Sequence, residues 1–110
     1  PNIKVINSWP DEALKTLKLN DRTAVITLSH NPEIDDLALL SALNSSCFYI
    51  GCLGSVITHQ KRLGRFKDRG YSRNLLKRLH GPIGLPINAN TNAEIAVSIM
   101  GEIIKALREI

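Results

Sequence analysis

Thr23-Ala24-Val25-Ile26-Thr27-Leu28 is apolar or β-branched at every position. A run without polar alternation predicts a central strand covered on both faces, which requires a parallel sheet with helices packed on either side. The rest of the chain must therefore supply helices and further strands.

Taken in order, it does. Residues 3–6 read as a first strand. Ser8 to Pro10 signal a helix start, and Ala13, Leu14 and Leu17 give a short amphipathic helix. Asn20-Asp21-Arg22 is a turn. After the central strand, Asn31 is placed to cap a helix that has Pro32 at its first position and buries Leu39, Leu40 and Leu43. Residues 47–50 predict a short buried strand, broken by Gly51 and Gly54, with Ser55 at the N-cap of the next helix. That helix runs from about residue 55 to 68. Its apolar stripe is Val56, Leu63 and Phe66 with His59 on the same side, and Gly70 closes it. Ser72 caps a second short helix ending near Leu79. Residues 80–86 are irregular, with room for a short final strand. Thr91-x-x-Glu94 is a capping box that opens a long helix striped by Ile95, Ile99, Ile103 and Leu107, with Met100 and Ile104 widening the stripe. The order βαβαβαα(β)α predicts a single α/β domain over residues 1–110 with a mostly parallel sheet.

With 110 residues, 44% of them hydrophobic, the chain can build one core. No apolar run reaches the roughly 18–20 residues of a membrane span, and no signal peptide is recognisable, so the cytoplasm is the expected compartment and no membrane partner is expected. Cys47 and Cys52 lie on one extended segment, roughly 17 Å apart at strand rise, too far for a mutual disulfide. They lack neighbours at ligand spacing, so no metal site is read from them.

The net charge of +4 is unevenly spread. Residues 61–78 hold eight of the fourteen basic residues (Lys61, Arg62, Arg65, Lys67, Arg69, Arg73, Lys77 and Arg78) against the single acid Asp68. This segment reads either as the solvated face of a surface helix or as a docking surface for an anionic partner. Nucleic acid is the weaker version of the second reading, because only Phe66 and Tyr71 are interleaved for stacking.

In open α/β sheets ligands bind beyond the carboxyl ends of the strands. Two such ends carry chemistry here: Ser29-His30-Asn31 and the segment Gly51-Cys52-Leu53-Gly54-Ser55. Both should open on the same sheet edge, and the second presents helix N-terminal N–H groups to an anion. The competing reading of Gly51 and Gly54 is tight packing alone. His59, beside the apolar stripe, reads first as a partly buried structural residue. No G-x-S-x-G elbow surrounds Ser29 or Ser55, which excludes a serine hydrolase of that design.

Four blocks together resemble one family. Thr23-Ala24-Val25-Ile26-Thr27-Leu28-Ser29-His30, Phe48-Tyr49-Ile50-Gly51-Cys52-Leu53-Gly54-Ser55, His80-Gly81-Pro82-Ile83-Gly84-Leu85 and Glu94-Ile95-Ala96-Val97-Ser98-Ile99 are similar, in order and spacing, to the XdhC/CoxI family of xanthine dehydrogenase accessory proteins. The resemblance implies a Rossmann-like three-layer domain, lacking the first βαβ portion and its glycine-rich phosphate loop. It implies an accessory or chaperone role more than turnover: binding the molybdenum cofactor (molybdopterin) and delivering it to an apo molybdenum hydroxylase such as xanthine dehydrogenase. It also implies a ligand crevice lined by Ser29, His30, Gly51, Leu53, Gly54 and Ser55, with His59 nearby. Where family members commonly carry a small apolar residue, an acid, a glycine and a proline, this chain has Cys52, Pro86, Asn88 and Asn92. Two alternatives stay open: an NAD(P)-binding oxidoreductase or sensor, which the missing phosphate loop disfavours, and a non-catalytic module that forms a homodimer through the last helix.

Overall fold

The computed structural model describes residues 3, 5–29 and 31–110. Among these residues, five helices and three strands follow one another as α1 (Pro10–Leu17), β1 (Ala24–Thr27), α2 (Pro32–Leu43), β2 (Tyr49–Cys52), α3 (Val56–Asp68), α4 (Arg73–Leu76), β3 (Leu79–His80) and α5 (Asn92–Arg108). The strands form one parallel sheet in the order β1-β2-β3. Its register sets Val25 beside Ile50 and Thr27 beside Cys52, with Ile50 beside Leu79 in turn.

Strand alternation sorts these residues by face. Val25, Ile50, Cys52 and Leu79 join Leu39, Ala42, Leu43, Phe66 and Leu76 in the main core, under α2, α3 and α4. Tyr49, Gly51 and His80 look the other way, toward α5. Helices thus cover both sides of the sheet, as the sequence predicts. Among the described residues, no helix is long and apolar enough to cross a membrane.

The predicted caps are present. Asn31 accepts from the Glu33 N–H at 3.0 Å and Ser55 from the Thr58 N–H at 3.1 Å. Thr91 and Glu94 exchange both bonds of the capping box. Gly70, at φ +93°, closes α3. Its N–H reaches Lys67 O and the Tyr71 N–H reaches Phe66 O, while the Tyr71 and Phe66 rings sit 6.2 Å apart. This is the paired-bond, apolar-contact ending that a left-handed glycine permits.

Four expectations are corrected. Ile3, Val5 and Ile6 belong to no strand, and Ile3 and Val5 are exposed. Among the described residues β1, expected to be central, is an edge strand, and its α5-side face is open: Ile26 is 37% exposed, because α5 lies over β2. The second strand begins and ends two residues later than predicted, at Tyr49 and Cys52, so Gly51 is inside the strand. A Cβ there would meet Ile83 Cγ1 and Tyr49 Cε2, each at 2.8 Å, so glycine is needed for the close approach of the 80–86 segment. Finally, Ile95, Met100 and Ile104 on α5 are exposed. The helix docks instead through small residues: Ser98 is buried, its carbonyl accepts the Leu85 N–H, and Gly101 faces Leu85.

Candidate functional site

Beyond the carboxyl ends of β1 and β2 lies a crevice of about 310 Å³ lined by Ser29, Pro32, Asp35, Leu53, Gly54, Thr58, Lys61, Arg62 and Arg65. Parallel pairing puts the two loops side by side, and the Leu53 N–H bonds to the Thr27 carbonyl across them. Of the predicted residues, Ser29, Leu53 and Gly54 therefore meet in one place. His30 lies outside the described residues. Gly51 is inside β2 with its α-carbon against Ile83. Ser55 spends its hydroxyl on the α3 N-terminus and its Oγ lies 3.0 Å from Thr58 Oγ1. His59 lines a different cavity.

Each wall of the crevice has a local cause. Gly54 adopts φ +137°, a conformation that side-chain-bearing residues rarely reach, and a Cβ there would lie 3.1 Å from Thr58 Cγ2. The chain can therefore leave the strand and enter α3 at once, with the helix N-terminus facing the crevice. On the opposite wall, Ser29 Oγ donates to Asp35 Oδ1 at 2.7 Å. Arg65 forms a two-pronged ion pair with Asp36, at 2.8 and 3.0 Å, which neutralises it.

Arg62 is the residue that sequence reasoning missed. It is only 3% exposed, and its bonds go to neutral acceptors: Nη2 to the Leu53 carbonyl at 3.3 Å and Nη1 to His59 Nδ1 at 3.1 Å. Its Nε has no hydrogen-bond partner among the described residues, and no carboxylate lies within ion-pair distance of it there. Buried cations are ordinarily paired, because desolvation costs several kcal/mol per ion, on the order of a domain's whole stability. The signal was in the spacing. His59, Arg62 and Phe66 fall at i, i+3 and i+7, the true buried stripe of α3, whereas Val56 is 57% exposed.

Arg62 also conditions its neighbours. A guanidinium only donates, so His59 Nδ1 accepts and a neutral His59 carries its proton on Nε2. Burial, reinforced by the Arg62 charge, holds His59 below its usual value of 6.5. Burial pushes the Cys52 thiol up to about 11, with the Arg62 charge pulling the other way. Cys52 is thus a protonated core residue, and Cys47 is likewise a buried free thiol. Chemically, the crevice offers one unpaired buried cation, an exposed Lys61 and a helix N-terminus against the single carboxylate of Asp35. It is suited to hold an anion.

Residues 2–103 match the XdhC Rossmann domain. The chain is 31% identical over 91 residues to the molybdenum cofactor insertion chaperone PaoD of Escherichia coli, covering 83% of this chain and 29% of that protein. It is 24% identical over 107 residues to a probable xanthine dehydrogenase subunit from Bacillus subtilis, covering 97% of this chain and 30% of the relative. In structure it is similar to a xanthine dehydrogenase from Bacillus halodurans, with a TM-score of 0.74 and 28% identity over 94% of this chain and 29% of that one. The chain therefore spans less than a third of the length of these relatives. On the strength of the match over nearly its whole length, this chain belongs to the XdhC Rossmann-domain family.

Proposed function

We propose that this domain serves in the maturation of a molybdenum hydroxylase, binding the molybdenum cofactor as cargo for delivery to an apoenzyme of the xanthine dehydrogenase kind. The observation that carries the site is Arg62, a buried guanidinium with an unpartnered Nε on the wall of the Ser29–Gly54 crevice. The phosphate group of molybdopterin is an anion of the right kind to balance this charge. Arg62 would donate to the phosphate, the α3 N-terminus would add its dipole, and Gly54 would keep Cβ atoms out of the way. The crevice volume of about 310 Å³ sits at the low end for small-ligand sites, so it takes one end of the cofactor. The names of PaoD and the xanthine dehydrogenase relatives support the choice of cargo and recipient.

Equilibrium binding of purified molybdopterin to the full chain tests this. Gly54→Val and Arg62→Met should each weaken binding by roughly tenfold or more, with circular dichroism unchanged. Undiminished binding in both folded variants would remove the site assignment.

A further inference from the structure

A second cavity, about 520 Å³, opens between α3 and the α4–β3 segment. Leu63, Leu76 and Leu79 form its floor, and the exposed cations Lys67, Arg73 and Lys77 surround it. None of its lining residues is acidic, and none of these three cations has a carboxylate partner among the described residues. Its uncharged polar groups are few: the His59 imidazole and the hydroxyls of Tyr71 and Ser72, each of which already makes one hydrogen bond. The Ser72 hydroxyl accepts the Leu75 N–H, and the Tyr71 hydroxyl accepts from Asn44 Nδ2 at 3.3 Å. A small-molecule site needs a few convergent, free polar groups. This groove instead has an apolar centre and a charged rim, the anatomy of a protein interface.

Gly64 adds an independent observation. It sits inside α3, where glycine weakens a helix, yet a Cβ there would meet nothing within 4 Å. No contact among the described residues explains it. Gly64 lines the groove, so its bare α-carbon leaves room for something else to approach.

We infer that this groove docks an acidic peptide segment of a partner protein, one apolar side chain seated on Leu63, Leu76 and Leu79 and its flanking carboxylates on Lys67, Arg73 and Lys77. The bare surface at Gly64 lets the peptide backbone come close. The proposal does not depend on what occupies the Ser29–Gly54 crevice, which faces the opposite side of the His59–Arg62 pair.

The test titrates three sets of short synthetic peptides into the isotope-labelled full chain and follows backbone amide NMR shifts. One set carries a Leu, Ile or Phe anchor flanked by Glu, one the same anchors flanked by Lys, and one Glu flanks with Ser at the anchor. The Glu-flanked apolar set should bind best, with shifts centred on Leu63, Gly64, Leu76 and Leu79. Gly64→Leu should weaken that binding by roughly tenfold or more while leaving the melting temperature equal or higher. The combined Lys67→Glu, Arg73→Glu and Lys77→Glu variant should reverse the preference toward Lys flanks. Equal binding of the Ser-anchored set, shifts centred on Ser29 and Gly54, absence of binding, or a groove closed by self-association would each overturn the proposal.

Discussion

His59 and Arg62, one turn apart on α3, share a buried 3.1 Å hydrogen bond that forms the wall between two cavities. His59 lines the apolar groove and Arg62 lines the anion crevice. Gly81 packs directly on the His59 ring, where even one added carbon would overlap it. A single imidazole therefore fixes the guanidinium on one side and supports the irregular 80–86 segment on the other.

Burial of His59, with the Arg62 charge beside it, makes stability depend on pH in a definite direction. Because His59 titrates below 6.5 in the folded chain, the unfolded chain takes up the proton first. The neutral-His59 contribution is present above pH 6.5 and is lost as pH falls below it. Urea unfolding across that window should show a smaller fall for His59→Gln than for the wild type; parallel curves would exclude His59 as the cause. Arg62→Met should raise the His59 titration midpoint while leaving it below 6.5, since burial is the larger cause.

Gly51→Ala should destabilise the fold by about 1–3 kcal/mol, the usual consequence of overpacking a filled site. The added methyl would collide with Ile83 and with Tyr49 Cε2, the latter at 2.8 Å. Denaturant midpoints read this directly. Retained stability would mean the 80–86 segment is not held against β2.

Tyr49 donates to Glu102 Oε1 at 2.5 Å, and the same oxygen accepts the Gly84 N–H at 3.1 Å. His80 stacks on Tyr49 at 4.7 Å and lies 3.8 Å from the carboxylate. Burial first, then the bond to Glu102, drives the Tyr49 hydroxyl far above its usual range. Glu102→Ala leaves two donors without an acceptor and should cost about 2–3 kcal/mol in chemical unfolding, while Glu102→Gln, which can still accept, should cost less than half of that.

Asn92→Pro should stabilise the chain by about 0.4–1 kcal/mol. Asn92 is the first residue of α5, where the N–H needs no helical partner, and Thr91 already has the extended φ of −102° and ψ of 161° that a following proline requires. A rise of a few degrees in Tm is the expected calorimetric result; a fall would show that the α5 start is misplaced.

Local chemistry was readable without the structure. Asn31, Ser55, Ser72 and Thr91 cap where their side chains demand it, because a cap is decided by residues two or three positions apart. Asn88 sits at φ +57°, a conformation asparagine tolerates. The pairing of the Ser29 loop with Leu53 and Gly54 also followed, since parallel strands must end on one edge.

The basic segment was not readable, because charge in one dimension does not say which cations are enclosed. The structure separates it into four roles. Arg62 is buried, Arg65 binds Asp36, Arg78 donates to the Leu43 and Cys47 carbonyls at 2.9 Å each, and Lys67, Arg73 and Lys77 surround the groove. Val56 is exposed and Arg62 buried because the face of α3 that turns inward is the one that carries His59 and Phe66.

By itself, then, the sequence determined the order of the five helices, where each of them starts, the strand at 24–27, and that two loops share a sheet edge. All of these are set by neighbours along the chain and by strand parity. Only the tertiary structure decided that Gly51 serves packing, that α5 docks through Ser98 and Gly101, and that Arg62 is enclosed with no counter-ion among the described residues. Those outcomes depend on which distant surfaces meet, and burial of a charge has meaning only once the surrounding atoms are in place.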